Sequence, residues 1–355
     1  MVSRVAIVEL NQDARESFQQ ALKLIGGIDD LNTVERSVVV KVGVFSHKAE
    51  NHTSVGVVDA IVNGFNRAPK IFLAESDNYR GTGTERLQIW SGLFNKRVVP
   101  FNLSEDLDAR ATRLADRDMT LSHILFKPNV FVDTHILRSF ERGSILKNLF
   151  GCIPDPKKMK FHKTEIFCPL LADIYEEIGG IDLAVLDGTY FWHGAGNAPV
   201  RMNTLLVGKD AVAVETVGAV LAGLNPAGMP VIQEFVKRGL GEGDMESIEI
   251  VGTSFESLKK EFAFAAKTQK KSRAQRRGPQ TWGGHAYHAI ESLIQEEFFK
   301  LPNKRTREDV AKAFESRAIS TKGKENNIAS MLSRRVKQGV LKAAKGPNGW
   351  EYWTD

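Results

Sequence analysis

The 355-residue chain holds only two cysteines, Cys152 and Cys168. They form neither a Cys-x-x-Cys pair nor a Cys–His zinc spacing, so a disulfide framework and a thiolate-held zinc are excluded. An iron–sulfur cluster, which takes more thiolates, is not expected either. Long apolar runs are missing too: none approaches the ~18–20 residues that span a bilayer. The opening stretch MVSRVAIVEL enters a strand-like pattern at once and lacks the zones of a signal peptide. The expectation is a cytoplasmic protein with no membrane partner. At 42% hydrophobic and 26% charged residues, the chain has an ordinary globular composition with enough apolar material for a sizeable core.

The net charge of +5 conceals an asymmetry. Residues 267–355 carry 19 Lys and Arg against 9 Asp and Glu, a net of +10, leaving 29 against 34, a net of −5, for residues 1–266. An acidic body with a basic tail suggests a polyanionic partner for the tail.

Within residues 1–266, short β-branched runs alternate with helical patterns. The runs at 4–9, 37–42, 70–74, 97–101, 123–127, 182–187, 204–207 and 247–251 predict strands. The stretches 11–24, 54–66, 83–92, 165–178, 210–222 and 228–238 predict helices. This alternation predicts an α/β domain with a mostly parallel sheet and helices on both faces. Residues 128–164 read as a long polar loop, and long loops in compact domains are usually functional. Residues 267–284, KTQKKSRAQRRGPQTWGG, read as a basic linker. Residues 285–355 read as three helices and a hairpin around Gly346-Pro347-Asn348-Gly349, the arrangement of a small winged-helix domain.

Three stretches of the body share a pattern: VVVKVGVFSH at 38–47, ILFKPNVFVDTH at 124–135 and LAVLDGTYFWH at 183–193. Each has an apolar run, a charge (Lys41, Lys127, Asp187), a small or turn-forming residue, an aromatic and a histidine (His47, His135, His193). Ligands of open parallel sheets bind outside the carboxyl ends of the strands. Lys41, Lys127, Asn129, Lys147 and the loop glycines Gly194 and Gly196 are therefore candidate anion ligands, assisted by Arg138 and Arg142. The GTGT stretch at 81–84 precedes a helical pattern, and its amides are candidates to face an anion. His47, His135 and His193, if they converge, would hold a divalent metal together with nearby carboxylates. His135, Lys147, His162 and Asp187 are the candidate catalytic groups. Asp210 reads as a helix N-cap and Cys152 as a packing residue.

GSILKNLFGCIPDPKKMKFH (143–162) resembles the most distinctive signature of the domain of unknown function family 362: a Lys-Asn-Leu-Phe-Gly run followed by proline, lysine and histidine. DLAVLDGTYFWHGAGNAP (182–199) is similar to that family's Asp-Gly segment, and VGKDAVAVETVGAVLAGL (207–224) to its Asp-x-x-Ala helix. The resemblance runs over about 1–255. The family's usual Lys-Pro-Asn is kept at Lys127-Pro128-Asn129 but replaced by Lys41-Val42-Gly43 at the first copy. Many members carry four-iron–four-sulfur inserts, which this chain lacks the cysteines to build. The resemblance implies a fold and a site but names no reaction.

In the tail, Lys270, Lys271, Arg273, Arg276 and Arg277 of the linker are candidate phosphate contacts, joined by Asn327, Arg334, Arg335, Lys337 and Lys345 of the winged helix. The functional expectation is binding of, or action on, an anionic small molecule at the strand ends, with DNA or RNA as the tail's partner. The alternatives are a ligand-sensing DNA-binding regulator and a non-catalytic RNA- or ribosome-associated factor.

Overall fold

Val38, Val39, Val40 and Lys41 are all buried, and they alternate between two apolar layers. Val38 and Val40 belong to one, Val39 to the other. Apolar residues on both faces are the mark of a strand covered from both sides. A computed structural model of the chain describes residues 2–44, 51–193, 199–276, 282–337, 339–347 and 349–354. It divides into two compact units, residues 1–269 and 270–355.

In the larger unit the elements run β1 (Ser3–Glu9), α1 (Ala14–Leu24), β2 (Val38–Lys41), α2 (Val55–Gly64), β3 (Ile71–Glu75), α3 (Gly83–Leu87) and β4 (Val98–Asn102). A two-stranded hairpin follows, β5 (Arg110–Leu114) and β6 (Arg117–Leu121), then β7 (Val130–Ser139), α4 (Ile145–Asn148) and α5 (Thr164–Glu177). The unit continues with β8 (Leu183–His193), β9 (Val200–Gly208), α6 (Ala211–Leu221), α7 (Pro230–Lys237) and β10 (Ile248–Gly252), and α8 (Phe255–Arg276) begins in it.

Eight strands form one sheet in the order β10-β1-β9-β8-β7-β2-β3-β4. Only β9 runs antiparallel to its neighbours, β1 and β8. The sheet is thus mostly parallel, as the sequence predicts. One face packs on Phe18, Leu22, Val57 and Ile61 of α1 and α2. The other packs on Phe167, Leu170, Val212 and Phe235 of α5, α6 and α7.

Three sequence readings need correction. The apolar run 123–127 is not a strand: His123–Leu125 form a single 3-10 turn, and the β-branched Val130-Phe131-Val132 opens the true strand β7. Residues 128–164 are therefore not a loop, since β7, α4 and part of α5 lie in them. The basic stretch 267–276 is helical, the continuation of α8. Its lysines and arginines are compatible with helix, and neither glycine nor proline interrupts before Gly278.

The smaller unit comprises α9 (Trp282–Gln295), β11 (Arg305–Thr306), α10 (Arg307–Glu315), α11 (Glu325–Lys337), β12 (Lys342–Gly346) and β13 (Gly349–Trp353). Its sheet has the antiparallel order β11-β13-β12. A separate core joins Ile290, Leu293, Phe299, Val310, Phe314, Ile328 and Leu332. Thr306 caps α10 in a reciprocal box with Asp309.

Asp210 is the N-cap of α6, as the sequence predicts. It accepts from the amides of Val212 (2.9 Å) and Ala213 (3.0 Å), from the amide of Glu242 (2.9 Å) and from Ser3 Oγ (2.5 Å). One carboxylate thus ties α6 to β1 and to the segment before β10. We expect Asp210→Ala to lower unfolding free energy by about 1–2 kcal/mol, with Asp210→Asn milder, as read by urea denaturation.

Candidate functional site

Parity along the strands decides which side chains meet. Val39 and Phe131 point to the face covered by α5 to α7, and so do Lys41, Asp133 and His135 two and four positions on. Lys41 and Asp133 are register neighbours on β2 and β7. Both are fully buried. Val185 points to the opposite face, and Asp187 follows it there. Asp187 accepts from the Ser54 amide at the N-terminus of α2 (2.7 Å) and from the amide and hydroxyl of Thr189 (2.8 and 2.6 Å). It braces α2 against β8 and is separate from Lys41.

Lys41 Nζ pairs with Glu75 Oε2 at 2.6 Å, at the carboxyl ends of β2 and β3. It also donates to Val42 O (3.1 Å) and Asn148 Oδ1 (3.2 Å). Asn148 returns its amide to Asp133 Oδ1 (2.9 Å), Lys41 O and Thr134 O. Glu75 takes a second cation, Arg86, at 3.2 Å. The salt bridges hold the Glu75 carboxyl below its usual range against the opposing effect of burial. Burial pushes Asp133 up to about 8 and raises Glu215 as well. Glu215 of α6 accepts from the amides of Ser144 (2.8 Å) and Leu146 (3.0 Å) and so fixes the start of α4.

The Lys147-Asn148-Leu149-Phe150-Gly151 run now has a physical account. Lys147 enters a cavity, Asn148 joins Lys41 to Asp133, and Phe150 packs edge-on against His162 at 4.8 Å. A Cβ at Gly151 would stand 2.6 Å from Lys41 Nζ, so only glycine lets the chain pass over the ion pair. Gly43 meets the same demand at His135, whose Cα would lie 2.7 Å from an added Cβ.

Above this polar layer lies a cavity of about 190 Å³, lined among others by Arg86, His135, Arg138, Lys147, Lys158 and His162. Arg86 donates to Ser76 O and Val44 O, both at 2.7 Å. Lys158 donates to Ser76 Oγ (2.5 Å) and Ile153 O (2.6 Å). Burial pulls Lys158 down to about 8 and Arg138 to about 10. Burial, then Arg138 and Arg142, pull Lys147 down to about 7. Arg138 Nε and Nη2 have no hydrogen-bond partner among the described residues. His135 is held well below its usual range, and His162 at about 4, first by burial and then by neighbouring cations. Arg142 Nη1 donates to His162 Nδ1 at 2.9 Å, which requires an unprotonated acceptor there.

A larger hollow of about 630 Å³ lies beside the β5–β6 hairpin. Its lining sets Arg117, Lys160 and Lys163 against Asp118 and Asp155, with Lys160 on Asp155 at 2.7 Å. The smaller cavity, with its surplus of cations, is the candidate site.

Of the sequence candidates, the structure brings together Lys41, His135, Lys147 and His162. Lys127 and Asn129 precede β7 and sit at the amino end of the strands, away from the cavity. Lys127 pairs with Asp182 at 2.6 Å, and Asn129 donates to Ile124 O at 2.8 Å. His47, Gly194 and Gly196 lie outside the described residues. His193 is the register partner of Ser139, four residues beyond His135 and roughly 13 Å away along the strand. His135 and His193 thus do not converge on one ion. Among the described residues, potential metal ligands cluster at Asp106, Asp108 and His123, within 4.8 Å of one another. Asp106 is already occupied there, by the Ser122 hydroxyl (2.5 Å) and by the His123 amide and ring (both 2.8 Å). The amides of 81–83 are also taken: Gly81 N donates to Asn78 O (3.2 Å), Gly83 N to Asp77 Oδ1 (2.7 Å), and Thr82 and Glu85 form a capping box. Burial pushes the Cys152 thiol up to about 12, consistent with packing.

Arg86, Asp133 and Lys158 are the groups that sequence reasoning missed. Asp133 alone carried a signal, an acid inside the apolar run VFVDTH.

In the smaller unit, Asn327, Arg334, Lys337 and Lys345 are exposed. Arg335 is not available at the surface. It is 7% exposed, pairs with Glu291 and lies over the Tyr287 ring. On α11 it falls on the face of Ile328 and Leu332. The side chains of Lys270, Lys271, Arg273 and Arg276, and all of Arg277, lie outside the described residues.

We expect Gly151→Ala to destabilise the larger unit by about 1–3 kcal/mol in denaturant unfolding, because the added methyl must displace Lys41 from Glu75.

A comparison with curated proteins finds no match. Residues 124–220 match the family model described as Domain of unknown function (DUF362), a narrower span than the resemblance at 1–255. The matched segment runs from the turn before β7 to α6 and carries Asp133, His135, Arg138, Lys147, Asn148, His162 and Glu215. Residues 124–220 are thus similar to the DUF362 domain, and the match covers about a quarter of the chain.

Proposed function

We propose that the larger unit binds an anionic small molecule, a carboxylate or a phosphate, in the cavity at the carboxyl ends of β2, β3 and β7. The observation that carries this reading is Arg138, a guanidinium facing the cavity with two nitrogens that no described residue satisfies. A buried donor left without a partner costs about 1–3 kcal/mol, and more when it is charged. An anion that fills the cavity relieves that cost. Arg86, Lys147 and Lys158 share the lining, and Glu75 is the only carboxylate lining the cavity among the described residues. Asp133 and Glu215, the neighbouring acids, are shifted by burial toward their neutral forms, which weakens their opposition to the positive field.

Two measurements on the full-length protein test this. In calorimetric titration with oxalate or phosphate, Arg138→Gln weakens binding by roughly 10-fold or more, the equivalent of one charge-assisted bond. Lys127→Ala, at the opposite end of the strands, leaves it unchanged. Wild-type affinity strengthens as pH falls through about 8 and then about 7, because Lys158 and Lys147 gain protons there. Affinity independent of both Arg138 and pH would refute the reading.

For the smaller unit we infer a winged helix that binds duplex DNA. The order helix, strand, helix, helix, strand, strand supports this, as do the exposed Asn327, Arg334 and Lys337 on α11 and Lys345 on the β12–β13 hairpin. Trp350 on the same hairpin is 58% exposed. About five phosphate contacts give a log–log salt slope near −4 to −5, and removing both Arg334 and Lys337 flattens it by about 2. Binding to structured RNA alone would instead make the chain an RNA-associated factor. Binding to neither at low salt would leave the unit a protein-docking module.

A further inference from the structure

We propose that Lys147 is a nucleophile, forming a reversible imine with an anionic carbonyl compound of the 2-oxo acid class held in the cavity. This rests on the reading of the cavity as an anion site and names the substrate class for it.

The three lysines of the polar cluster differ in what their amines already do. Lys41 is committed to Glu75, Asn148 and a backbone carbonyl. Lys158 is committed to Ser76 Oγ and Ile153 O. Lys147, among the described residues, has neither an ion-pair nor a hydrogen-bond partner; its Nζ lies 4.9 Å from the centre of the Phe140 ring. It stands on α4, whose start is fixed by Glu215, so its backbone is held while its amine is left uncommitted.

The groups facing Lys147 are Arg138 at the end of β7, Arg142 beyond it and Glu215 on α6. Two guanidiniums disfavour a third positive charge, and desolvation acts in the same direction; Glu215 opposes them more weakly. At neutral pH the side chain is therefore about half free amine, the state that attacks a carbonyl. The same arginines are suited to receive the substrate's carboxylate. The electrostatics that expose the lone pair would thus also position the electrophile.

The chemistry balances without any further reagent. The Nζ lone pair adds to the carbonyl carbon, and the C=O pair moves to oxygen, which takes a proton. The carbinolamine then loses water to give a protonated imine. Amine, carbonyl and one proton yield iminium and one water, and hydrolysis reverses every step. An iminium beside a carboxylate withdraws electrons from the adjacent carbon, which is what proton exchange or bond cleavage at that carbon needs.

The experiment uses full-length protein with glyoxylate as the carbonyl probe and cyanoborohydride to trap the adduct, followed by peptide mapping. Lys147 should be carboxymethylated about a hundredfold faster than surface lysines, whose ordinary pKa near 10.4 leaves little free amine at neutral pH. The trapping rate should rise with pH to a plateau just above about 7. Oxalate should compete, and Lys147→Arg should abolish the adduct. Labelling spread over surface lysines without preference for Lys147, with oxalate still bound, overturns the imine and leaves the anion site standing. Failure to bind oxalate as well removes both. The wild-type peptide map decides the question even if Lys147→Arg folds poorly.

Discussion

The ion pair between Lys41 and Glu75 is the constraint around which the larger unit's site is arranged. Both side chains are withdrawn from water almost completely. Two charges taken from water are costly, and their mutual attraction offsets the cost only when their remaining valences are also satisfied. The surroundings read as that satisfaction: Asn148 and Val42 O on the lysine, Arg86 and the Ser76 amide on the carboxylate. The pair also dictates what passes over it, since Gly151 leaves just the clearance that Nζ requires. A five-residue run from Lys147 to Gly151 is thereby pinned, and with it the direction in which Lys147 points.

Cations gather at the cavity: Arg86, Arg138, Lys147 and Lys158 line it, against the single lining carboxylate Glu75 among the described residues. Burial shifts Asp133 and Glu215 toward their protonated forms, while Arg138, pulled down only to about 10, stays charged across the physiological range. Lysine is the adjustable member of such a set, since its compact ammonium shifts readily on burial. One environment thus sets arginine beside a lysine pulled down to about 7.

The larger unit's sheet was legible in the sequence because its strands are continuous β-branched runs, and Asp210 was legible because a cap is a local matter. Lys41 and Lys147 were readable as charges beside apolar runs. Lys127 was misplaced because Ile124-Leu125-Phe126 is as apolar as a strand, and only the tertiary fold makes it a turn. Asp187 was grouped with Lys41 because both end apolar runs. One residue of parity sends them to opposite faces of the sheet, and that offset is set by pairing between distant strands. Arg86 and Lys158 come from segments whose local composition is that of a solvated surface. Their burial arises from what packs over them, which no local pattern records. Arg335 is the converse case, a basic residue in a basic helix that turns inward to Glu291.

The place of β1 in the sheet has a bearing on how the chain is made. β1 lies between β9 and β10, and its pairing partners are Thr204–Gly208 on one side and Ile248–Gly252 on the other. On a ribosome, residues 3–9 emerge long before either partner exists. During that interval Val5, Ala6, Ile7 and Val8, all buried in the finished sheet, have no strand to meet. The larger unit can close only after residue 252 has been synthesised. Its early half must therefore wait as an incomplete sheet with an apolar strand exposed, the stage at which a chain of this topology is most open to chaperones and to misassociation.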